Sequence, residues 1–300
     1  MPTGTDRNTS PTRFTWKRNP DRAMESGLQL TAPQTESDSS AACLPRGNIL
    51  GVGIHDIGMN QAVEAIEEAI ASRRKGYVCV ANVHVVIEAQ DSADYRRLLN
   101  ESFLTVPDGR PLVWVGRLQG SRTIEQVGGP EIMIELCDRS RDRGYTHFFY
   151  GGAPGVAEQL KDVLTKRYPG LCVAGTYSPP YRPLHAGEEL KLKQLFARVK
   201  PDVTWVGLGA PKQERFMASY LPHLDTTIMI GVGAAFDMHT GRIKDAPHWA
   251  KRCGVAWLFR LVQDPKRMAS RYMRTNPRFL WEIILQFSGL KPNAANDGAE

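Results

Sequence analysis

Two polar side chains follow apolar stretches at points where the strands of a sheet would end. Asn82 follows "YVCVA", and Asp108 follows "FLTVP" and precedes Gly109. A carboxylate at a strand end can serve as a general base that takes a proton from an attacking hydroxyl group. Pro-Asp-Gly is also a common turn in which Asp108 would bond only its own backbone, and Asn82 could simply cap a helix. Both interpretations stay open, and His84 is expected to be an ordinary exposed histidine.

Glycines and polar residues follow three further apolar stretches, where they could cradle a phosphorylated ligand. Backbone near glycine can approach a ligand closely, and free amides at a helix start attract anions. A lysine supplies a positive charge for phosphate, and a glutamine can donate and accept hydrogen bonds toward a sugar or base. Neither a dinucleotide nor a P-loop fingerprint is present, so ordinary turns remain an equal alternative. The candidates are Gly151, Gly152, Gly207, Gly209, Lys212, Gln213, Gly233 and Asp237.

Short apolar runs alternate with helical patterns from residue 46 to residue 244. This alternation predicts an α/β core with a mostly parallel sheet built from Rossmann-like βα units. Ligands of such sheets bind beyond the carboxyl ends of the strands, which is where the candidate residues stand. Residues 245–290 show helical patterns only, including the strongly apolar "FLWEIILQF", and predict a helical C-terminal appendage. Asp237 has no second Asp or His at ligand spacing, so no metal site is expected.

The composition indicates a globular protein. The chain has 300 residues, 42% of them hydrophobic, and five widely spaced cysteines with no CxxC pair, which favours a reducing cytoplasm. No apolar run is long enough for a signal peptide or a membrane-spanning helix.

Residues 1–45, rich in Ser, Thr and Pro, are predicted to be a disordered extension, and residues 291–300 a disordered tail. Basic residues are concentrated between residues 251 and 278. Such a concentration could bind nucleic acid, anionic lipid or a phosphorylated substrate, or it could simply form a solvated helix face.

Taken in order, the motifs resemble those of the WecG/TagA/CpsF family of glycosyltransferases. The resemblance runs from about residue 48 to residue 280 and rests on "PDG", "FFYGGAPGVAEQL", "VGLGAPKQE", "GVGAAFD", "APHW" and "WLFRLVQDPKRMASRY". It implies an α/β core with a helical C-terminal appendage. It also implies an inverting transfer of a sugar, N-acetylmannosamine or another hexose, from a UDP-sugar to a polyprenyl-diphosphate-linked saccharide.

The resemblance further implies roles for single residues. The family's proposed base falls on the aspartate of "PDG", and appendage arginines are implied to contact the nucleotide diphosphate. Because no Asp-x-Asp pair is visible, arginines are expected to replace the metal clamp of other glycosyltransferases, and no metal or other cofactor is expected. The implied catalytic residues are Asp108, Asn82 and Gln213, and the implied diphosphate contacts are Arg260, Arg267 and Arg271.

This sequence departs from the family's pattern at several positions. Val80 stands where many members have threonine, and Ala256 stands where they have glutamate. Gln126 and Asp245 each replace an arginine, and Glu131 replaces an aspartate. Two positive charges are therefore missing near the expected ligand crevice. The resemblance predicts the reaction class but leaves the donor sugar and the acceptor open. The oligomeric state is also open, and a homo-oligomer is one of the possibilities.

The basic helices and the apolar C-terminal segment suit an enzyme that lies on an anionic membrane surface without crossing it. The expected location is therefore cytoplasmic, peripheral on the inner face of the cell membrane. A non-catalytic nucleotide-sugar-binding protein is the alternative function. A nucleic-acid partner is not expected, because aromatic stacking positions on a sheet face are not evident.

Overall fold

The computed structural model describes residues 44–290, apart from the side chains of His248, Arg252 and Arg267. The two segments predicted to be disordered, residues 1–45 and 291–300, fall outside the described residues except for Leu44 and Pro45. The role implied for the Arg267 side chain also lies outside them.

The first two strands form a separate antiparallel hairpin. They are β1 (Arg46–Ile49) and β2 (Val52–His55). The run "ILGVGI", which belongs to the short apolar runs from which a parallel sheet is predicted, therefore contains a turn instead of a single parallel strand. Leu50 and Gly51 both have positive φ, 53° and 82°, and this left-handed backbone, easy for glycine, reverses the chain.

The remaining six strands form one fully parallel sheet, which confirms the predicted fold class. They are β3 (Gly76–Ala81), β4 (Leu104–Pro107), β5 (Thr146–Gly151), β6 (Cys172–Tyr177), β7 (Val203–Gly207) and β8 (Ile228–Gly231). Their order across the sheet is β4-β3-β8-β7-β5-β6. Since all the pairs are parallel, the loops after the carboxyl ends of the strands meet along one edge.

Helices cover both faces of this sheet. The core helices are α1 (Met59–Ala71), α2 (Val83–Asp91), α3 (Ala93–Glu101), α4 (Arg110–Leu118), α5 (Gly129–Arg143), α6 (Val156–Arg167), α7 (Ala186–Val199), α8 (Lys212–Tyr220) and α9 (Ala235–His239). In β3 the side chains alternate between the two apolar clusters: Val78 joins the cluster with α1, α5 and α6, and Cys79 the one with α2, α3 and α7. Alternation of this kind is what a sheet buried on both faces requires.

The C-terminal segment is helical, as predicted, and its last helix packs into the core. It contains α10 (His248–Arg252), α11 (Ala256–Gln263) and the 23-residue α12 (Pro265–Phe287). Phe279 and Ile283 of α12 are buried in the apolar cluster that also holds α2 and the hairpin. The Gln286 side chain accepts a 2.9 Å bond from the Leu50 amide and donates one of 2.9 Å to the Asn48 carbonyl.

The opposite face of α12 is exposed and apolar. Leu280, Trp281, Ile284 and Phe287 are each between 47% and 63% exposed and recur at helical spacing. The segment "FLWEIILQF" is therefore divided between a face that packs on the core and one that faces solvent. Between residues 44 and 290, none of the helices has the length and apolar composition needed to cross a membrane.

Candidate active site

Asn82 lies between β3 and α2, where it both caps the helix and contacts Asp108. Its side-chain oxygen accepts hydrogen bonds from the backbone amides of His84 and Val85, at 3.1 and 3.3 Å. Its amide nitrogen lies 3.4 Å from Oδ2 of Asp108 and donates to it. The two interpretations of Asn82 are therefore compatible, because capping leaves the amide nitrogen free to orient a neighbouring carboxylate.

Asp108 follows β4, next to β3, and this adjacency brings its carboxylate to Asn82. The backbone amide of Asp108 donates to the Ala81 carbonyl at 2.7 Å, which extends the pairing of the two strands. Its carboxylate also accepts a hydrogen bond from the backbone amide of Gly129, the first residue of α5. It thus bonds partners outside its own turn, at a helix N-terminus that favours negative charge.

Opposing influences set the protonation of Asp108. The residue keeps some contact with solvent, but protein surrounds its carboxyl group. The resulting desolvation of the carboxylate is the main reason why the pKa of Asp108 is raised to about 7. Arg260 pulls the pKa down and Glu131 pushes it up, while the hydrogen bonds from Asn82 and Gly129 favour the ionised form. A carboxylate with a pKa near neutrality is well suited to accept a proton at physiological pH.

Appendage arginines reach this edge of the sheet from two helices. Arg260 of α11 lies close enough to Asp108 to lower its pKa, and its guanidinium lies 3.1 Å from the sulfur of Met238. Arg271 of α12 lies beside His84, in the first turn of α2. Arg260 is thereby located near Asp108, and Arg271 lies beside the first turn of the helix that Asn82 caps.

The expectation that His84 is an ordinary exposed histidine is wrong. Its side chain is only 16% exposed, because α12 packs over α2. Burial, together with the charges of Arg271 and Arg274, lowers the pKa of His84 to about 4. A hydrogen bond to the Ala210 backbone, in the loop before α8, opposes this shift, so His84 touches the core loop as well as the appendage.

The glycine loops after β5, β7 and β8 lie side by side at the same edge. Gly151 and Gly207 are opposite each other in adjacent strands, and a Cβ on Gly151 would lie only 2.6 Å from the Gly207 carbonyl oxygen. These two glycines therefore serve strand packing. Gly209 has a positive φ of 76° and open space where a side chain would be, so a ligand could approach its backbone. Gly152 and Gly233 also have positive φ, 74° and 55°.

Gln213 is buried and connects two of these loops. Its side chain is 3% exposed. Its oxygen accepts hydrogen bonds from the backbone amides of Gly209 and Gly233, at 3.1 and 2.9 Å, and its nitrogen donates to Glu214 at 2.8 Å. The implied catalytic role of Gln213 stays a prediction, but in this structure its amide is engaged by protein and not directed at a ligand. The geometry is that of a residue that positions the loops.

Lys212 and Asp237 occupy the rim of the same edge. Lys212 is exposed, and its ammonium lies 4.5 Å from the ring centre of Tyr181, which belongs to the loop after β6. Asp237 lies in the first turn of α9, where its carbonyl accepts a 3.0 Å bond from the Ile243 amide. The side chain of Lys212 is thus available for an anion, and neither residue is enclosed.

Comparison with known proteins agrees with this architecture. Residues 47–293 match the model of the glycosyl transferase WecG/TagA/CpsF family. The chain belongs to this family. It is therefore a glycosyltransferase, and the resemblance inferred from its motifs is confirmed.

Three relatives share the name N-acetylglucosaminyldiphosphoundecaprenol N-acetyl-beta-D-mannosaminyltransferase. The Bacillus subtilis protein is 30% identical over 72% of this chain and 86% of its own length. The Bacillus spizizenii protein is 27% identical over 76% of this chain and 87% of its own. The Staphylococcus aureus protein is 28% identical over 79% of this chain and 91% of its own.

Two of the departures from the family's pattern lie near Asp108, and a third is joined to one of them through Lys251. Gln126 donates a 3.1 Å hydrogen bond to the Asp108 carbonyl. Glu131, in the first turn of α5, and Asp245 both pair with Lys251 of α10. In the sequence Lys251 is one of many closely spaced basic residues, and nothing local distinguishes it from its neighbours as a member of the candidate site.

Proposed function

We propose that this glycosyltransferase transfers N-acetylmannosamine, or another hexose, from a UDP-sugar to a polyprenyl-diphosphate-linked saccharide, with inversion. The observation that carries the proposal is the juxtaposition of Asp108, whose pKa is raised to about 7, with Arg260 at the edge of the sheet where ligands bind. The names of the relatives support the sugar and the class of acceptor.

In the proposed mechanism Asp108 accepts the proton of the acceptor hydroxyl as its oxygen attacks the anomeric carbon from the face opposite the leaving group. The ionised form accepts the proton, and a pKa of about 7 leaves much of Asp108 ionised at neutral pH. Asn82, which donates to Oδ2, orients the carboxylate. Arg260 stabilises the negative charge that develops on the departing UDP.

The appendage arginines are proposed to supply this charge stabilisation without a metal ion. No group of three or more His, Cys, Asp or Glu side chains that could hold a metal was found within the described part of the chain. Metal independence remains a prediction, and it is tested by measuring transfer after treatment with EDTA and after adding back Mg²⁺ or Mn²⁺. Activity that disappears with EDTA and returns with either ion would contradict it.

Two variants separate the proposed roles. Asp108→Asn should bind UDP nearly normally in isothermal titration yet lose about 100- to 10,000-fold in transfer rate. Arg260→Ala should weaken UDP affinity and transfer together, because it contacts the diphosphate before and during departure. Arg198→Ala, an exposed arginine of α7, is the matched control.

The assay uses a panel of UDP-sugars with a synthetic lipid-diphosphate acceptor carrying N-acetylglucosamine. Near-normal transfer by Asp108→Asn would remove the base assignment. Binding of UDP-sugars by the unmodified enzyme without any transfer would favour the alternative, a non-catalytic nucleotide-sugar-binding protein.

We further propose that the enzyme works on the inner face of the cell membrane, with the exposed apolar face of α12 against the lipid. That face carries Leu280, Trp281, Ile284 and Phe287. Replacing Trp281 and Ile284 together by Glu should reduce co-sedimentation with anionic liposomes. The control is Leu190→Glu, at a leucine of α7 that is 57% exposed. Unchanged co-sedimentation of the double variant would exclude this face as the lipid contact.

A further inference from the structure

Lys251 connects the appendage to the core beside the proposed base. Its ammonium lies 2.5 Å from Oε1 of Glu131 and 2.5 Å from Oδ2 of Asp245, and its side chain is 22% exposed. Glu131 belongs to the first turn of α5, whereas Asp245 precedes α10. Two acidic residues that would otherwise repel each other are thus joined through one cation.

Further contacts hold α10 in the same place. The Lys251 carbonyl accepts a 3.3 Å hydrogen bond from Nε of Arg110, in the first turn of α4. Gly254, just after α10, lies against the ring of Trp114, since a Cβ added to this glycine would come within 2.7 Å of it. The α10 segment therefore touches both α4 and α5, the two helices that follow Asp108 in the chain.

The carboxylates of Glu131 and Asp108 both lie close to Gly128. A Cβ added to Gly128, the residue before α5, would approach Glu131 Oε2 closely and would lie 3.2 Å from Asp108 Oδ1. The two carboxylates therefore lie close together on the same side of Gly128, where their charges repel. The other groups that face Asp108 are Arg260 of α11, the side-chain amide of Asn82 and the backbone amide of Gly129.

We propose that Lys251 is a positioning residue, which holds α10 over the N-terminal end of α5 and shields Asp108 from the charge of Glu131. The proposal rests on the proposed function only in treating Asp108 as the base. It assigns a purpose to one departure from the family's pattern, the acid at position 245 in place of an arginine. With acids at both 131 and 245, this chain needs a cation between them, and Lys251 provides it.

The direct test measures the titration of Asp108 in the intact protein by NMR of ¹³C-labelled aspartate carboxyl groups, with the Asp108→Asn spectrum for assignment. Lys251→Met removes the ammonium and keeps the length of the side chain. The Asp108 midpoint should move to higher pH, because Glu131 is then unshielded. Glu131→Gln should move it to lower pH, because the repelling charge is gone.

The double variant provides the decisive comparison. In the Glu131→Gln background, Lys251→Met should shift the Asp108 midpoint by less than half of the shift seen in the wild-type background. Lys251→Arg should restore a midpoint close to that of the wild type. No shift in Lys251→Met, or an equal shift in both backgrounds, would overturn the proposal. If Lys251→Met does not fold, Lys251→Gln takes its place in both backgrounds, and the same outcomes support or overturn the proposal.

The pH profile of transfer gives an independent result. A rise of one pH unit in the Asp108 midpoint should lower kcat/KM about tenfold on the acid side and leave it almost unchanged at high pH. The NMR titration needs no substrate. An absence of transfer with every sugar tested, combined with the expected NMR shifts, would refute the proposed function and leave the role of Lys251 standing.

Discussion

The buried amide of Gln213 allows a test of whether this residue positions the loops or contacts the substrate. Gln213→Met replaces the amide by an apolar group of similar size. It removes the acceptor for the Gly209 and Gly233 amides, and it removes the hydrogen bond donated to Glu214. We therefore expect the loops after β7 and β8 to separate and the protein to lose stability.

The magnitude follows from these three contacts. A buried polar group left without its partner costs roughly 1 to 3 kcal/mol. Gly209 and Gly233 are half-buried, so water can partly replace the lost acceptor, which favours the lower end of that range. Three such losses give a decrease of about 3 kcal/mol in the free energy of unfolding. Lys212→Met, at the neighbouring exposed position, should change it by less than about 1 kcal/mol.

Urea denaturation of both variants measures the change in stability, and isothermal titration with UDP measures the effect on the loops. Gln213→Met should lose stability, UDP affinity and transfer together. A Gln213→Met protein as stable as the wild type but unable to transfer sugar would refute this reasoning. It would support the direct catalytic role that the family resemblance implies.

Three further predictions concern stability. Burial raises the pKa of Asp108 from 3.8 to about 7, so the folded protein holds this proton more tightly than the unfolded chain does. The resulting contribution to the free energy of unfolding is fully present below about pH 4 and is lost as the pH rises through 7. Asp108→Asn should therefore be more stable than the wild type at pH 8, by on the order of 2 to 4 kcal/mol, and this difference in urea denaturation should shrink toward pH 4. Phe279→Ala, within the core, should cost roughly 3 to 5 kcal/mol by the same assay, whereas Arg278→Ala, which breaks pairs at the surface, should cost about 1 kcal/mol or less. Deletion from residue 265 onward should abolish the cooperative unfolding transition in calorimetry, and a deletion protein that melts like the intact one would show that α12 is not part of the core.

The sheet was predictable because its signal is local. Each strand is a short apolar run followed by glycine or a polar residue, and a parallel arrangement brings the ends of such runs to one edge. Asn82 and Asp108 were recognised for this reason. Their contact needed only the pairing of β3 with β4, neighbouring strands linked by α2 and α3.

Contacts between distant residues were not predictable in this way. Glu214 is completely buried, and it accepts a hydrogen bond from Tyr95, which lies 119 positions earlier in the chain. A buried acid looks like a solvated one in the sequence, because burial depends on which elements pack over it. The two faces of α12 illustrate the same limit. Helical spacing predicts the helix but does not indicate which apolar side meets the core.

The charges around Asp108 explain why the appendage would belong to the proposed active site. The core contributes two carboxylates that repel each other, Asp108 and Glu131, while the cations that oppose them, Arg260 and Lys251, come from α11 and α10. The core segment alone would hold the base beside an uncompensated acid, and the loss of both cations would favour the protonated form of Asp108. Docking of the appendage completes the charge balance. Proton transfer from the acceptor and stabilisation of the departing UDP would therefore depend on the same packing of α10, α11 and α12 against the core.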